Sequence, residues 1–243
     1  MNEGSWIAAD WAAPAHIKAG CTTRHGGQSQ GPYASLNLAL HVGDDPQHVQ
    51  SNRQMLQDYL HLPQQPQWLT QVHGCDVSSD AQALSEADAC VSTRPGRVCV
   101  VMTADCLPVL ITDRQGSCVA AVHAGWRGLA NGVIGETIKR LPVAPAELLV
   151  WLGPAIGPRA FEVGNDVFDC FIELNEAYRA AFSAHKNKWL LDIYHAARLQ
   201  LARLGVNNVS GGDYCTFSQA DLFYSYRREK TTGRMASLIW MAC

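Results

Sequence analysis

The sequence lacks the features that most quickly assign a protein. None of its nine cysteines, at positions 21, 75, 90, 99, 106, 118, 170, 215 and 243, stands in a Cys-x-x-Cys pair. An odd and dispersed set argues against a disulfide framework and against a zinc ribbon, so most of these thiols are expected to be small buried hydrophobes. No stretch approaches the roughly eighteen apolar residues of a membrane span. The start of the chain carries Glu3, Asp10 and Pro14 instead of the continuous apolar run of a secretory signal. A cytoplasmic protein that meets no membrane is therefore expected. Basic residues are also few: 19 Lys and Arg against 22 Asp and Glu give a net charge of -3, and they are scattered. Without a basic footprint no nucleic-acid partner is expected, and a small molecule is the better prior. No repeat, low-complexity tract or linker interrupts the 243 residues. One domain over 1–243 with a large core follows, because 47% hydrophobic against 17% charged residues excludes disorder.

What is present is a series of short, β-branched apolar runs. Val98–Met102, Leu107–Thr112, Cys118–His123, Glu147–Leu152 and Met235–Met241 read as buried strands bounded by Gly, Pro, Asp or Arg. Helical spacing appears from Trp126 to Leu141, from Asn165 to about His185 and over Asp192–Leu204. Leu222–Tyr226 with Met235–Met241 suggests a hairpin around "RREKTTGR", and the Gly-rich stretch after Cys21 suggests a second hairpin region with functional loops. Strands and helices that are mixed without strict alternation favour an α+β fold, with helices covering mixed sheets.

Three residues fall at the ends of such runs. "QWLTQVHG" ends on His73, "MTADCLPVL" carries Cys106 just before a strand, and "AAVHAGWRG" ends a strand on His123. Strand ends in a mixed sheet are where sites are built. Two imidazoles and a thiolate suit zinc, and three ligands leave the fourth tetrahedral position open, which is the catalytic arrangement. Asp105 and Asp88 are the nearby carboxylates that would move protons. The same residues also allow a Cys106–His123 nucleophile and base, or two polar core residues. Arg127, at the start of the helix after His123, is placed to hold an anion or to face solvent. Arg24, Asn37 and Arg53 lie in loop segments, where substrate recognition competes with salt bridging and turn capping.

"TTRHGG", "SLNL", "HVGDD", "QVHG", "MTADCLPVL", "AAVHAGWRG", "WLGPAIGP", "FEVG", "GGDYCT", "LFYSYRR" and "TTGRMAS" follow one another from Cys21 to Trp240. Together they resemble the YfiH-like laccase-domain family, whose members are described as polyphenol oxidases and as purine nucleoside phosphorylases. The resemblance implies an α/β/β/α-like layered α+β domain and a zinc ion held by His73, Cys106 and His123. It also implies phosphorolysis of adenosine, inosine, guanosine and methylthioadenosine, with adenosine deamination alongside. Purine nucleosides and phosphate are then the expected partners, with Arg127 and Arg227 as cationic groups for phosphate. The segment between His73 and Asp88 is shorter than the family's usual loop. Two other classes stay open: a Cys-His amidase or hydrolase that edits peptidoglycan precursors, and a copper-dependent polyphenol oxidase. A multicopper centre needs His-x-His pairs, and the nine histidines here form none, although a single copper on two His and one Cys remains compatible with this donor set.

Overall fold

The last strand shows how the layers arise. Along Met235–Met241, Met235, Ile239 and Met241 enter one core while Ala236, Leu238 and Trp240 enter another, as the two-residue period of a strand requires. The computed structural model describes Met1 and residues 4–242; Asn2, Glu3 and Cys243 lie outside the described residues. In chain order the elements begin with β1 (Trp6–Ala8), β2 (Ile17–Thr22), α1 (Pro46–Leu60), β3 (Val77–Ser78), β4 (Ala89–Ser92) and β5 (Cys99–Thr103). Next come β6 (Leu107–Asp113), β7 (Val119–Ala124), α2 (Trp126–Asn131), α3 (Val133–Ile138), β8 (Leu148–Leu152), β9 (Glu162–Val163) and α4 (Asn165–Leu174). The chain closes with β10 (Phe182–His185), β11 (Lys188–Leu191), α5 (Ile193–Arg203), β12 (Asn208–Gly211), α6 (Tyr226–Glu229) and β13 (Met235–Met241).

Strands β1-β2-β13-β5 form an antiparallel sheet, and β12-β8-β6-β7-β4-β3 form a mixed six-stranded sheet. One core lies between them, where Cys21, Val101 and Ile239 meet Leu110, Ala121 and Trp151. The outer face of the first sheet buries Val98, Val100 and Leu238 against Leu56 of α1. The outer face of the second buries Val109, Ile111 and Val122 under residues of α2 to α5, among them Leu129, Ile134, Phe171 and Ala197. The result is the α/β/β/α layering of an α+β domain. Buried on both faces, β6 and β7 read as continuous apolar runs.

Several sequence expectations are corrected. The helix expected from Trp126 to Leu141 is two short helices, because Gly132 adopts φ +89 and closes α2 with hydrogen bonds from its N–H to Gly128 and Leu129. The helix expected to reach His185 ends at Leu174. Asn175 is extended there, its side chain caps a 3-10 turn at Glu176–Ala181, and β10 then pairs with β11. Leu222–Tyr226 is no strand; β13 pairs instead with β2 and β5. The loop region after Cys21 contains two 3-10 turns and no hairpin, and it leads into α1, capped by Asp45 with Pro46 at its first position.

The β6–β7 turn is fixed by one buried carboxylate. Asp113 accepts from the Gln115, Ser117 and Cys118 amides and from the Ser117 hydroxyl. Burial opposes ionisation of Asp113, but these donors outweigh it and hold the carboxyl below its ordinary value. A carboxyl depressed on folding stabilises above its unfolded pKa and loses that effect as pH falls. Asp113→Ala is therefore expected to cost about 1–3 kcal/mol of stability near neutral pH and less in acid, readable from urea unfolding at several pH values.

Candidate metal centre

The β6–β7 pairing brings two of the three expected residues together. Leu107 pairs with Ala124 and Pro108 with His123, so Cys106, one residue before β6, comes opposite Gly125, one residue after β7. A Cβ on Gly125 would stand 2.8 Å from the Cys106 sulfur and 3.1 Å from His73 Cδ2, so only glycine leaves room for the two side chains. Gly125→Ala is expected to weaken metal binding by about tenfold or more, because ligand positions are matched to a few tenths of an ångström. Competition against a chromogenic chelator would measure it.

His73 arrives from a separate loop. The sequence reading put it at a strand end, but Trp68–Val72 is irregular apart from a single bridge between Thr70 and Glu86. What fixes the loop is Asp88, which is fully buried. Its Oδ1 accepts from the His73 amide at 2.9 Å and its Oδ2 from the Gly74 and Val72 amides at 2.7 and 3.2 Å. Those bonds hold His73 in a left-handed turn at φ +63. The same Oδ1 lies 2.7 Å from His123 Nδ1, which donates to it and so leaves Nε2 free as a ligand atom. One carboxylate thus positions both imidazoles.

One donor atom from each of His73, Cys106 and His123 lies within 4.8 Å of the others. The Cys106 sulfur is 3.8 Å from His73 Nε2, and the two imidazole rings are 4.7 Å apart, edge to face. Burial alone would push the Cys106 thiol up, but the charge and hydrogen bond of His123, then those of His73, bring it down to about 6. Burial would likewise disfavour charge on His123, yet Cys106 and Asp88 raise it to about 9. Burial also opposes ionisation of Asp88; the His123 hydrogen bond and charge and the Gly74 and His73 amides keep it below the ordinary carboxylate value. Without a metal the Cys106–His123 pair is thus a thiolate beside a protonated imidazole. A metal that displaces the Nε2 proton would meet one thiolate and two oriented imidazoles, the donor chemistry of a three-ligand zinc or copper site.

Residues 18–242 match the family described as multi-copper polyphenol oxidoreductase laccase. The chain belongs to that family. It is 52% identical over 240 residues to "Purine nucleoside phosphorylase PA4543" of Pseudomonas aeruginosa, covering 98% of each chain. It is also 52% identical over 238 residues to "Purine nucleoside phosphorylase YfiH" of Escherichia coli, covering 97% of this chain and 98% of that one. The crystal structure of Neisseria meningitidis protein NMB0706 superposes with a TM-score of 0.94 at 50% identity, covering 98% of this chain and all of the other. The family's name speaks of several coppers. Among the described residues, however, the one group of three or more His, Cys, Asp or Glu side chains placed to hold a metal is His73, Cys106 and His123.

In this laccase-like chain the other expected site residues fall into two sets. Arg127, exposed and in contact with the Trp126 ring, lines the cavity over the metal centre, and so does Arg227. Arg227 is partly occupied, since one guanidinium nitrogen donates to the Glu162 carbonyl and the group stacks on Phe161. Asp105 also lines this cavity, but its carboxylate is taken up. Oδ1 accepts from the Thr216 hydroxyl, and Oδ2 accepts from the Ser225 hydroxyl and the Arg227 amide. Asp105 and Asp88, expected to move protons, thus hold backbone and ligands in place.

Arg24, Asn37 and Arg53 are not brought to the centre. Arg24 bonds the Ala34 and Ala220 carbonyls and pairs with Glu229. Asn37 is fully buried and ties Ala39, Asp44 and Arg234 together. Arg53 donates to the Leu38 carbonyl and lies over the Trp68 ring in a different cavity. Capping and stacking are what these three do. Sequence reading missed Gly125 as a spacer and Asp88 as the joint between two imidazoles; the Gly of "HAGW" was a signal for the first.

Proposed function

We propose that the protein is a zinc-dependent purine nucleoside phosphorylase acting on adenosine, inosine, guanosine and methylthioadenosine in the cytoplasm, with adenosine deamination at the same centre. The observation that carries this reading is a two-imidazole, one-thiolate donor set opening into a cavity walled by Trp126, Ile156, Phe161 and Ile193. Flat apolar and aromatic walls suit a purine face, and the names of the relatives point to the same substrate class. A bound zinc supplies Lewis acidity and activates a nucleophile at neutral pH.

The chain's residues do the rest. Phosphorolysis forms a bond from a phosphate oxygen to the anomeric carbon as the glycosidic C–N bond breaks, and the leaving purine takes up the proton that the phosphate gives up, directly or through solvent. That demands a cation near the phosphate and a base held in one orientation. Arg127 offers an unpaired guanidinium, while Asp105 fixes the cavity wall by bonding Ser225 and the first turn of α6.

The test is adenosine turnover by metal-analysed protein with and without phosphate. Ribose 1-phosphate and adenine appearing only with phosphate support phosphorolysis, and inosine supports deamination. Zinc-replete protein that makes neither overturns the reading. A second reading, a Cys106 nucleophile in an amidase or hydrolase, is favoured by the thiolate character of Cys106. In metal-free protein, alkylation of Cys106 by iodoacetamide is expected to rise through pH of about 6, far below an ordinary thiol. Mass spectrometry of the modified peptide reads that profile. Only an amide-cleaving activity that survives metal removal and is lost in Cys106→Ser would favour this second reading.

A further inference from the structure

The metal centre has two sides. Beyond the cavity walled by Phe161, a second one of about 440 Å³ meets it at His73, Cys106, Arg127 and Tyr226 and extends toward His41, Thr103 and Arg234. Both are lined by cations, Arg127, Arg227 and Lys230 in the first and Arg127 and Arg234 in the second. Asp105 lines the first, but no carboxylate lines the second, where His41 and the two ligand imidazoles complete the wall.

Arg234 lines this cavity with part of its donor capacity unused. It forms no ion pair; one nitrogen, Nη1, donates to the Thr232 and Gly233 carbonyls, which orients the group and leaves its other N–H donors open. It also lies over the Tyr226 ring at 5.8 Å and is attracted by the Cys106 and Asp105 charges. Thr103, at the end of β5, is 1% exposed and lines the same cavity, and its hydroxyl has no hydrogen-bond partner. An unpaired cation and an orphaned buried hydroxyl in one cavity are each unfavourable alone. Both are satisfied at once by an anion with several acceptor oxygens. The field there is positive: His41 is held below its ordinary value by burial and then by the charges of Arg234 and Arg53.

We propose that Arg234, with Arg127 and Thr103, forms the subsite for a tetrahedral oxyanion, inorganic phosphate in the first instance, in the cavity that adjoins the purine wall at the metal centre. The inference rests on the phosphorylase reading and deepens it. Phosphate in the Arg234 cavity and purine in the Phe161 cavity would approach the ribose from two sides, as a displacement at the anomeric carbon requires. Arg127 and Tyr226 line both cavities and stand at their junction.

The experiment measures phosphate binding to the zinc-loaded protein by isothermal titration calorimetry, beside steady-state kinetics with adenosine and phosphate, for the wild type, Arg234→Gln and Arg234→Lys. Loss of a charged hydrogen-bond partner is expected to weaken phosphate binding by roughly tenfold to a hundredfold in Arg234→Gln. Zinc content and the KM for adenosine should stay near wild type, the KM for phosphate should rise with the binding constant, and Arg234→Lys should recover part of both. Thr103→Val, which removes only the hydroxyl, should weaken phosphate binding without lowering zinc content. Phosphate binding that is unchanged in Arg234→Gln overturns the subsite while leaving the phosphorylase reading intact. Binding that depends on Arg234 in a protein with no phosphorolysis upholds the subsite and overturns that reading. A variant that loses zinc and whose adenosine KM rises along with the loss of phosphate binding marks Arg234 as structural and also overturns the subsite.

Discussion

His123→Ala is expected to empty the metal centre and to lower phosphorolysis by about a thousandfold, the equivalent of ~4 kcal/mol of transition-state stabilisation. Two effects combine in it. The imidazole is one of three donors, and it is also the partner of a carboxylate with no exposure to solvent. Removing it strands the Asp88 charge, so unfolding free energy should fall by ~3 kcal/mol as well. His73→Ala separates the two. The His73 side chain is exposed and meets the other ligands, while Asp88 holds its backbone. The same loss of metal and turnover is therefore expected with little change in denaturant midpoint. Equal zinc content in all three proteins would contradict the ligand assignment.

Asp88→Ala is expected to act without touching the metal. Four donors converge on this carboxylate: the Val72, His73 and Gly74 amides and the His123 ring. Its loss frees the His73 turn to leave its left-handed conformation and lets the His123 ring choose either tautomer. Metal affinity should drop by about 10–100-fold, the usual effect of removing a partner of a metal-bound histidine. Stability of the metal-free protein should fall by about 3 kcal/mol, since buried donors lose their acceptor. Asp88→Asn is the informative companion: it keeps the shape and one acceptor oxygen, so the turn should persist while the tautomer preference weakens. A chelator titration that ranks wild type, Asp88→Asn and Asp88→Ala in falling affinity supports the positioning role. Equal affinities would refute it.

The parts of the fold written in local sequence were the legible ones. Strands β5 to β8 are short apolar runs between turn residues, and both ligands at the ends of β6 and β7 could be read from their place next to those runs. Metal donors announce themselves by residue type, the mixed order of strands and helices gave the α+β class, and the layering came from the family resemblance. The misses are of two kinds, helix boundaries whose local signal is faint and contacts between distant segments. Helix α1 carries few apolar residues, with Val49, Asn52 and Leu56 buried, so its periodicity is faint, although Asp45-Pro46 marked its start. The work of Asp88 is invisible in "EADAC" because its four partners come from two distant segments. Arg227 was read as a phosphate-binding cation and Arg24 as either a substrate contact or a salt-bridging residue; the structure gives them carbonyls and aromatic faces that no spacing rule shows. Arg234 was hidden for the opposite reason, since nothing in "TTGRMAS" tells a paired arginine from an unpaired one.

Asp105 and Cys106 are consecutive residues with opposite duties. The first, held at φ +88, fastens Thr216, Ser225 and the amide of Arg227, and the second faces the metal. A single peptide unit therefore connects the candidate metal ligands to the short helix that carries Tyr226. Thermodynamic reciprocity sets the consequence: by whatever factor a substrate that steadies that helix changes metal affinity, the metal changes affinity for that substrate by the same factor.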